Sequence, residues 1–298
     1  MQKVIITGGT GLVGKRLTEL LISKNYEVTI LSRNPKKPNE YKWNTDENYI
    51  DEKAFEGASA VIHLAGAGVA DKRWTNERKR EIIESRIKSA QLIHRYLETG
   101  KYPIQHFISA SAVGFYGDRG NEVLTEDSSG GTGFLADVCK LWEKEADTFA
   151  DLNIAVSKVR IGIVLSKNGG ALPKLDFPVK FGIGAYIGNG KQYVPWIHVD
   201  DLCNIFISIL ENKIKPGIYN GCAPDIKTNK EMSQTIAQVL HKPFIPAPAP
   251  AFVLKTVLGE MASMLLMSNN CSCKKIQETA FAFQYPTLVE ALKNIYNS

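Results

Sequence analysis

Short, almost continuous apolar runs alternate with stretches of helical periodicity through the first 165 residues. Lys3 to Thr7 reads as a strand covered on both faces, which is the habit of a parallel sheet. Leu12, Val13, Leu17, Leu20 and Leu21 then share one side of a helix, and Glu27 to Leu31 supplies the next strand. Ala60 to Leu64 and His106 to Ser109 repeat the apolar pattern as the fourth and fifth strands. Between those two, Ile83, Ile87, Ala90, Ile93 and Leu97 recur at spacings of three and four, which predicts a long helix from roughly Asn76 to Glu98. Ala155 to Arg160 closes the series. Strands alternating with helices require crossover connections, so the fold class is α/β with a doubly wound parallel sheet.

The texture changes after Leu165. Glycine and proline crowd the chain from Gly169 to Pro195, followed by a strand from Tyr193 to Val199, a helix from Asp200 to Glu211 and a strand from Gly217 to Asn220. The alternating Pro246 to Pro250 tract is expected to be extended, because proline fixes φ and disfavours helix in the residue before it. Residues 1–165 therefore read as a domain built on the parallel sheet. Residues 166–298 read mostly as a small C-terminal α+β cap, interleaved with the sheet rather than independent. Composition adds limits. At 298 residues, with 44% hydrophobic and 22% charged positions, the chain is globular and has no apolar run long enough to cross a bilayer. The first residues lack a secretory pattern, so a cytoplasmic protein is expected. The five cysteines are odd in number and mostly scattered, which suits free thiols, and Cys271-Ser272-Cys273 lacks zinc spacing. A net charge of +5 admits an anionic small ligand, while the interleaved acids argue against nucleic acid and membrane partners.

The chemistry begins at Gly8-Gly9-Thr10-Gly11-Leu12-Val13-Gly14, directly after a strand and opening a helix. Glycines at 8, 11 and 14 suit a tight turn, close approach of backbone to a pyrophosphate, and close helix–strand packing. The helix N-terminus adds unpaired N–H groups and a partial positive charge. Dinucleotide binding is the expected use. A site selective for NAD usually ends its second strand in a carboxylate that binds the ribose 2′-hydroxyl. Here Leu31 is followed by Ser32-Arg33-Asn34, and the Arg33 guanidinium suits a 2′-phosphate, so NADP(H) is expected.

Together with Leu64-Ala65-Gly66, Ser109-Ala110-Ser111 and Trp196 to Asp201, this turn resembles that of the extended short-chain dehydrogenase/reductases, the NAD(P)-dependent epimerase/dehydratases. Arg73-Trp74-Thr75, Glu84-Ser85-Arg86, Ser109 to Gly117, Phe134-Leu135-Ala136, Trp142-Glu143 and Leu258 to Ala262 are similar to the branch called 39U-like. The resemblance covers nearly the whole chain and implies a Rossmann-like cofactor domain with a substrate cap. By the same resemblance Ser32 and Arg33 hold the adenosine ribose phosphate, and Leu64, Ala65 and Gly66 line the adenine side. Glu81 and Arg86 reach toward the cofactor from the long helix, Ser109 joins the cofactor wall, and Val164 lies near the nicotinamide. The other cations of that helix, from Arg73 to Lys88, read as a charged outer face. A homodimer is a further implication.

The superfamily's chemistry uses a tyrosine, a lysine four residues later that lowers its pKa, and a serine. Ser111 fits the serine. The pair is missing: counting from Lys140 puts Ala136 at the tyrosine position, and counting from Glu143 puts Leu135 and Cys139 in the two places. Tyr116 is the alternative phenol. Relatives acting on nucleotide sugars carry an arginine where this chain has Val194, with Lys191 nearby, which argues against such a substrate. His198 reads as a structural residue at the domain junction. Two functions follow. One is an NADP(H)-dependent oxidoreductase or epimerase-like protein acting on a small carbonyl or alcohol, with Ser111 and Tyr116 at its oxygen. The other is an NADP(H)-binding sensor or scaffold with little or no turnover.

Overall fold

A computed structural model of the chain describes residues 2–297. Its centre is an eight-stranded sheet: β1 (Lys3–Thr7), β2 (Glu27–Ser32), β3 (Glu40–Asn44), β4 (Tyr49–Ile50), β5 (Ala58–His63), β6 (His106–Ala112), β7 (Ala155–Ile161) and β8 (Ile218–Gly221). Their spatial order is β8-β7-β6-β5-β1-β2-β3-β4. All neighbouring pairs are parallel except β3 with β4. Reversal of strand order on either side of β1 opens a crevice at the carboxyl ends of β1 and β5, where open α/β sheets place ligands. The sequence signalled the third position in the sheet only weakly, because Glu40 to Asn44 mixes charged and aromatic residues at the sheet margin.

Alternation along β1 divides the interior in two. Val4 and Ile6 join Leu17 and Leu21 of α1 (Leu12–Ser23) and the apolar side of helix Val199–Leu210. Ile5 faces the other way and joins Ala90, Ile93 and Leu97 of α2 (Asn76–Leu97) with Phe107 and Phe149. Helix α3 (Phe134–Asp147) packs beside α2 on that second face. Thr75 begins α2 by accepting a hydrogen bond from Arg78 N at 3.2 Å, an ordinary N-cap. The buried line of α2 runs through Ile82, Arg86, Ser89, Ala90, Ile93 and Leu97, while Ile83 and Ile87 sit at its margin. The apolar count misplaced that ridge because two of its central positions are polar.

Two elements beyond residue 165 return to the main sheet and its helices. Strand β8 pairs with β7, and helix Val199–Leu210 packs on α1, where Arg16 grips Asp200 with bonds of 2.6 and 3.2 Å. His198 caps this helix by accepting from Asp200 N at 3.1 Å. Asp201, fully buried, accepts from Gln284 N and Tyr285 N at 2.8 and 3.0 Å and so ties the C-terminal segment down. Pro195 splits the expected single strand into Tyr193–Val194 and Trp196–His198. The proline tract is extended as Ile245–Ala249 and pairs in parallel with Ile183–Ile187 to form the ribbon of the cap. All five cysteines are free and buried. Among the described residues no helix is long and apolar enough to cross a membrane.

The Phe107 and Phe149 rings stack at 3.6 Å between centroids, both fully buried. Phe107→Ala is expected to cost about 3–5 kcal/mol through lost contacts and the cavity left behind. Urea unfolding monitored by circular dichroism measures this, and a loss under 1 kcal/mol, well below that range, shows that the stack is not a core contact.

Candidate functional site

The site begins where β1 hands the chain to α1. Gly8 takes φ +69°, and a Cβ there would lie 2.9 Å from the Leu64 carbonyl. A Cβ at Gly14 would lie only 2.3 Å from Gly8 O, so the first turn of α1 rests on the backbone of the turn before it. Gly11 stands at the N-cap with no side chain to satisfy the first N–H groups of the helix. Those donors are left for an anion.

A groove runs from this turn along the ends of β2 and β5. Its walls bring together Gly8, Thr10, Gly11, Ser32, Arg33, Leu64, Ala65, Gly66 and Glu81. Neither Ser32 nor Arg33 introduces a carboxylate at the end of β2. Ser32 Oγ accepts from Asn34 N at 3.3 Å, and Arg33 is exposed at the groove margin. Glu81 binds Arg78, and its carboxyl is held below the usual range by Arg78 first, with Lys72 and Arg33 adding to the effect. Leu12, Val13, Gly14, Arg86, Ser109 and Val164 stand outside the groove walls. Leu12 packs under the Gly169–Gly170 turn, Val13 O meets the Cys203 thiol, and Ser109 is buried in β6. Val164 pairs with Ile197 in the strand register beside the turn.

The Leu64–Gly66 wall is held from behind. Thr7 Oγ1 accepts from Leu64 N at 3.2 Å and Ala65 N at 3.1 Å, and so directs its own proton to His63 Nδ1 at 2.8 Å. Ser89 Oγ donates to Ser85 O and therefore accepts from His63 Nε2 at 3.2 Å. This fixes the tautomer with the proton on Nε2. Burial, with some help from the Arg86 charge, drops the His63 pKa to about 4, so the ring is neutral. Sequence reasoning missed this relay, and its signal was a histidine ending an apolar strand. Arg86 is also buried, its Nη1 donating to Ala67 O and Ile82 O at 3.1 and 2.8 Å. Its guanidinium lies against Gly66, over the Trp142 ring at 4.8 Å, and no carboxylate pairs with it among the described residues. Burial lowers its pKa to about 10, which leaves it charged at neutral pH. Arg78 corrects the expectation of a merely charged outer face. It too is buried and donates to Gly68 O, while Lys79 reaches across to Glu260 of the cap.

At the heads of β6 and β7 the charges are paired. Ser111 Oγ donates to Glu143 Oε1 at 2.7 Å, and Arg160 clasps both Glu143 oxygens at 2.8 and 2.9 Å. Arg160 Nη1 also donates to Tyr116 OH at 3.0 Å, and that hydroxyl donates to Asn220 Oδ1 at 2.7 Å. Tyr116 is fully buried, and burial pushes its pKa up despite Arg160. On α3, Leu135 packs on Gly114, while Cys139 lies near Ser111 and Arg86. Burial raises the Cys139 thiol to about 11. Lys140 turns outward to Gly131 O and Asp137. Leu135 and Cys139, the two α3 positions reached by counting back from Glu143, thus lie against Gly114 and near Ser111, and neither is a phenol or an ammonium. Glu143, Arg160, Glu126 and Asn220 were not foreseen. For Arg160 the hint was a charge within an apolar strand.

The fold, the glycine turn and this groove define a nucleotide-binding protein of the extended dehydrogenase type. The chain belongs to the NAD dependent epimerase/dehydratase family, whose pattern matches residues 4–133, while a domain of unknown function, DUF1731, matches 249–295. It is 34% identical to the human epimerase family protein SDR39U1 over 99% of both chains. It is likewise 34% identical to YfhF of Bacillus subtilis over 99% of this chain and 98% of that one. Crystalline human SDR39U1 (isoform 2) with NADPH superposes at a TM-score of 0.89, with 31% identity and full coverage of both chains. A nucleoside-diphosphate sugar epimerase from Corynebacterium glutamicum gives 0.80 at 31% identity, covering 99% of this chain and 58% of that one.

The neutral His63 has a pH consequence. Its pKa is depressed from 6.5 to about 4 on folding, so its contribution is complete above pH 6.5 and is lost as pH falls toward 4. The loss amounts to about 3 kcal/mol, at 1.36 kcal/mol per unit. Denaturant unfolding between neutral and acid pH is expected to show a steeper decline in the parent than in His63→Asn. Identical slopes would mean that folding does not depress the His63 pKa.

Proposed function

We propose that the groove binds NADP(H), and that the protein exchanges hydride between this cofactor and a small carbonyl or alcohol under the cap. The observation that carries the reading is the groove itself: a glycine turn that excludes Cβ atoms, an uncapped helix start, and Ser32-Arg33 in place of a carboxylate. The NADPH found with human SDR39U1 supports the same choice. Gly8, Thr10, Gly11 and Gly14 shape the pyrophosphate cradle, with Leu12 and Val13 fixing the first turn of α1 behind it. Ser32 and Arg33 take the 2′-phosphate, Leu64, Ala65 and Gly66 face the adenosine half, and Glu81 orients the basic margin. Arg86 supplies positive charge from behind Gly66, while Ser109 and Val164 shape the nicotinamide end. Bound there, the cofactor supplies or accepts the hydride.

On the substrate side Ser111 orients the reacting oxygen. Its hydroxyl proton points to Glu143, so the oxygen's lone pairs remain to accept from an alcohol, and Glu143 ends a short path for that proton. Arg160 holds both oxygens of this carboxylate and so fixes the acceptor that Ser111 faces. Tyr116 becomes a positioning residue, because its hydroxyl is engaged on both sides and its pKa is raised. Leu135 and Cys139, standing at the site where an acid–base pair is usual, favour the second reading, an NADP(H)-binding protein without turnover.

Arg33→Asp is expected to reverse the preference for NADPH over NADH in calorimetric titration. An unchanged ratio removes Arg33 from the 2′-phosphate. Hydride turnover on a carbonyl panel separates the two readings. Ser111→Ala is expected to lower kcat by about 10²-fold or more while leaving NADPH affinity unchanged. Cofactor binding with no turnover in the parent leaves only the binding protein.

A further inference from the structure

The cap carries an apolar surface that the cofactor groove does not use. Helix Leu172–Lys180 places Phe177 outward, and the chain then turns through Phe181 into the ribbon strand Ile183–Ile187. Phe177 and Phe181 meet edge to face at 5.3 Å between ring centroids. Ile183 stands beside Ile245 in the register of the two ribbon strands. These four side chains are exposed by 64, 70, 46 and 67% respectively. Exposed large apolar residues are normal when scattered, whereas a contiguous group marks an interaction surface.

Charge identifies the partner. Exposed Lys174 lies three residues before Phe177, on the same side of its helix, and exposed Lys242 and His241 lead into Ile245. Lys180 adds a further amine, which pairs with Asp176 at 3.0 Å. Asp176 is the one acid in residues 172–187, it is buried, and residues 240–250 contain none. This face therefore offers phenyl and branched apolar groups beside ammonium groups, with no exposed carboxylate from either segment. A second copy would bring the same positive charges opposite themselves. An anionic bilayer complements both features, since its interface accepts aromatic side chains and its headgroups attract lysine.

We propose that the cap face formed by Phe177, Phe181, Ile183 and Ile245 docks on the surface of an anionic lipid bilayer, with Lys174 and Lys242 against its headgroups. This is peripheral attachment, requires no spanning helix and is independent of what the groove binds. The residues come from two segments brought together only by the ribbon, so no single stretch of sequence displays the amphipathic pattern.

Co-sedimentation with vesicles tests the proposal. The full chain is expected to bind phosphatidylcholine–phosphatidylglycerol vesicles at low ionic strength, release them as salt rises, and leave pure phosphatidylcholine vesicles largely unbound. Phe177→Ser with Phe181→Ser is expected to reduce the partition coefficient about tenfold or more. Lys174→Glu with Lys242→Glu is expected to abolish the preference for anionic vesicles. Thermal unfolding and NADPH titration monitor folding, and neither is expected to change, because these side chains are exposed. Absence of vesicle binding in the parent, or binding unaffected by both double variants, overturns the proposal. So does a dimer in sedimentation equilibrium that the phenylalanine variant dissociates, which would assign the face to a second copy.

Discussion

The Cα of Gly14 lies so close to the Gly8 carbonyl that no side chain fits between α1 and the turn at the end of β1, since a Cβ would come within 2.3 Å of that oxygen. The same turn passes beneath Leu64, leaving no room for a Cβ at Gly8 either. Two close approaches therefore bring three pieces of backbone together: the end of β1, the start of α1 and the exit of β5. Backbone N–H groups brought so near a phosphate need no long side chain to reach it. The rest of the groove is built outward from that contact. Thr7 holds the Leu64–Ala65 backbone by accepting from both N–H groups, and its own proton goes to His63 Nδ1 only while the imidazole stays neutral. Burial keeps it neutral.

The opposite end of the crevice is organised by charge. Glu143 and Arg160 are both sealed from water, and the cost of removing them from solvent is offset by a two-pronged ion pair and by the bonds from Ser111 and to Tyr116 and Glu126 O. Such a cluster fixes rotamers. It orients Ser111 through its acceptor, and it uses Tyr116 as a link between Arg160 and Asn220 rather than as a proton donor. A phenol whose hydroxyl is engaged on both sides and whose pKa is raised by burial is not placed to accept a proton.

How much of this the sequence disclosed follows from where the information lies. The glycine turn, the strand ends and the absence of a carboxylate after Leu31 are local, and periodicity with spacing reads them directly. Helix α2 was placed within a residue of its observed end, although its buried ridge was assigned to Ile83 and Ile87 because Arg86 and Ser89 break the apolar count. Strand β8 and helix Val199–Leu210 read correctly as elements, but their return to the main sheet is a matter of tertiary pairing. The Glu143–Arg160–Tyr116–Asn220 chain spans residues far apart in sequence and has no motif. The two halves of the apolar face on the cap, residues 174–183 and 242–245, are concealed in the same way, by a juxtaposition that exists only after strand pairing.

The distribution of cations links the two ends. A lysine on α3 facing the site would set an ammonium beside the serine, whereas here Cys139 occupies that position with a thiol that burial keeps protonated. The positive charge that acts on Cys139 comes from another helix: Arg86 on α2, laid between Gly66 and Trp142 without a carboxylate partner among the described residues. A guanidinium remains charged under desolvation that would push an amine toward neutrality, which makes it the better cation for so enclosed a place. It is also fixed, since its Nη1 is committed to Ala67 O and Ile82 O. Its charge therefore stands directly behind the Gly66 segment of the groove wall. It cannot move with a reacting phenol, because none is present on α3. The cation that the resemblance would put on α3 lies in this chain on α2, behind Gly66, and the Ser111 hydroxyl is met from α3 by the Glu143 carboxylate instead.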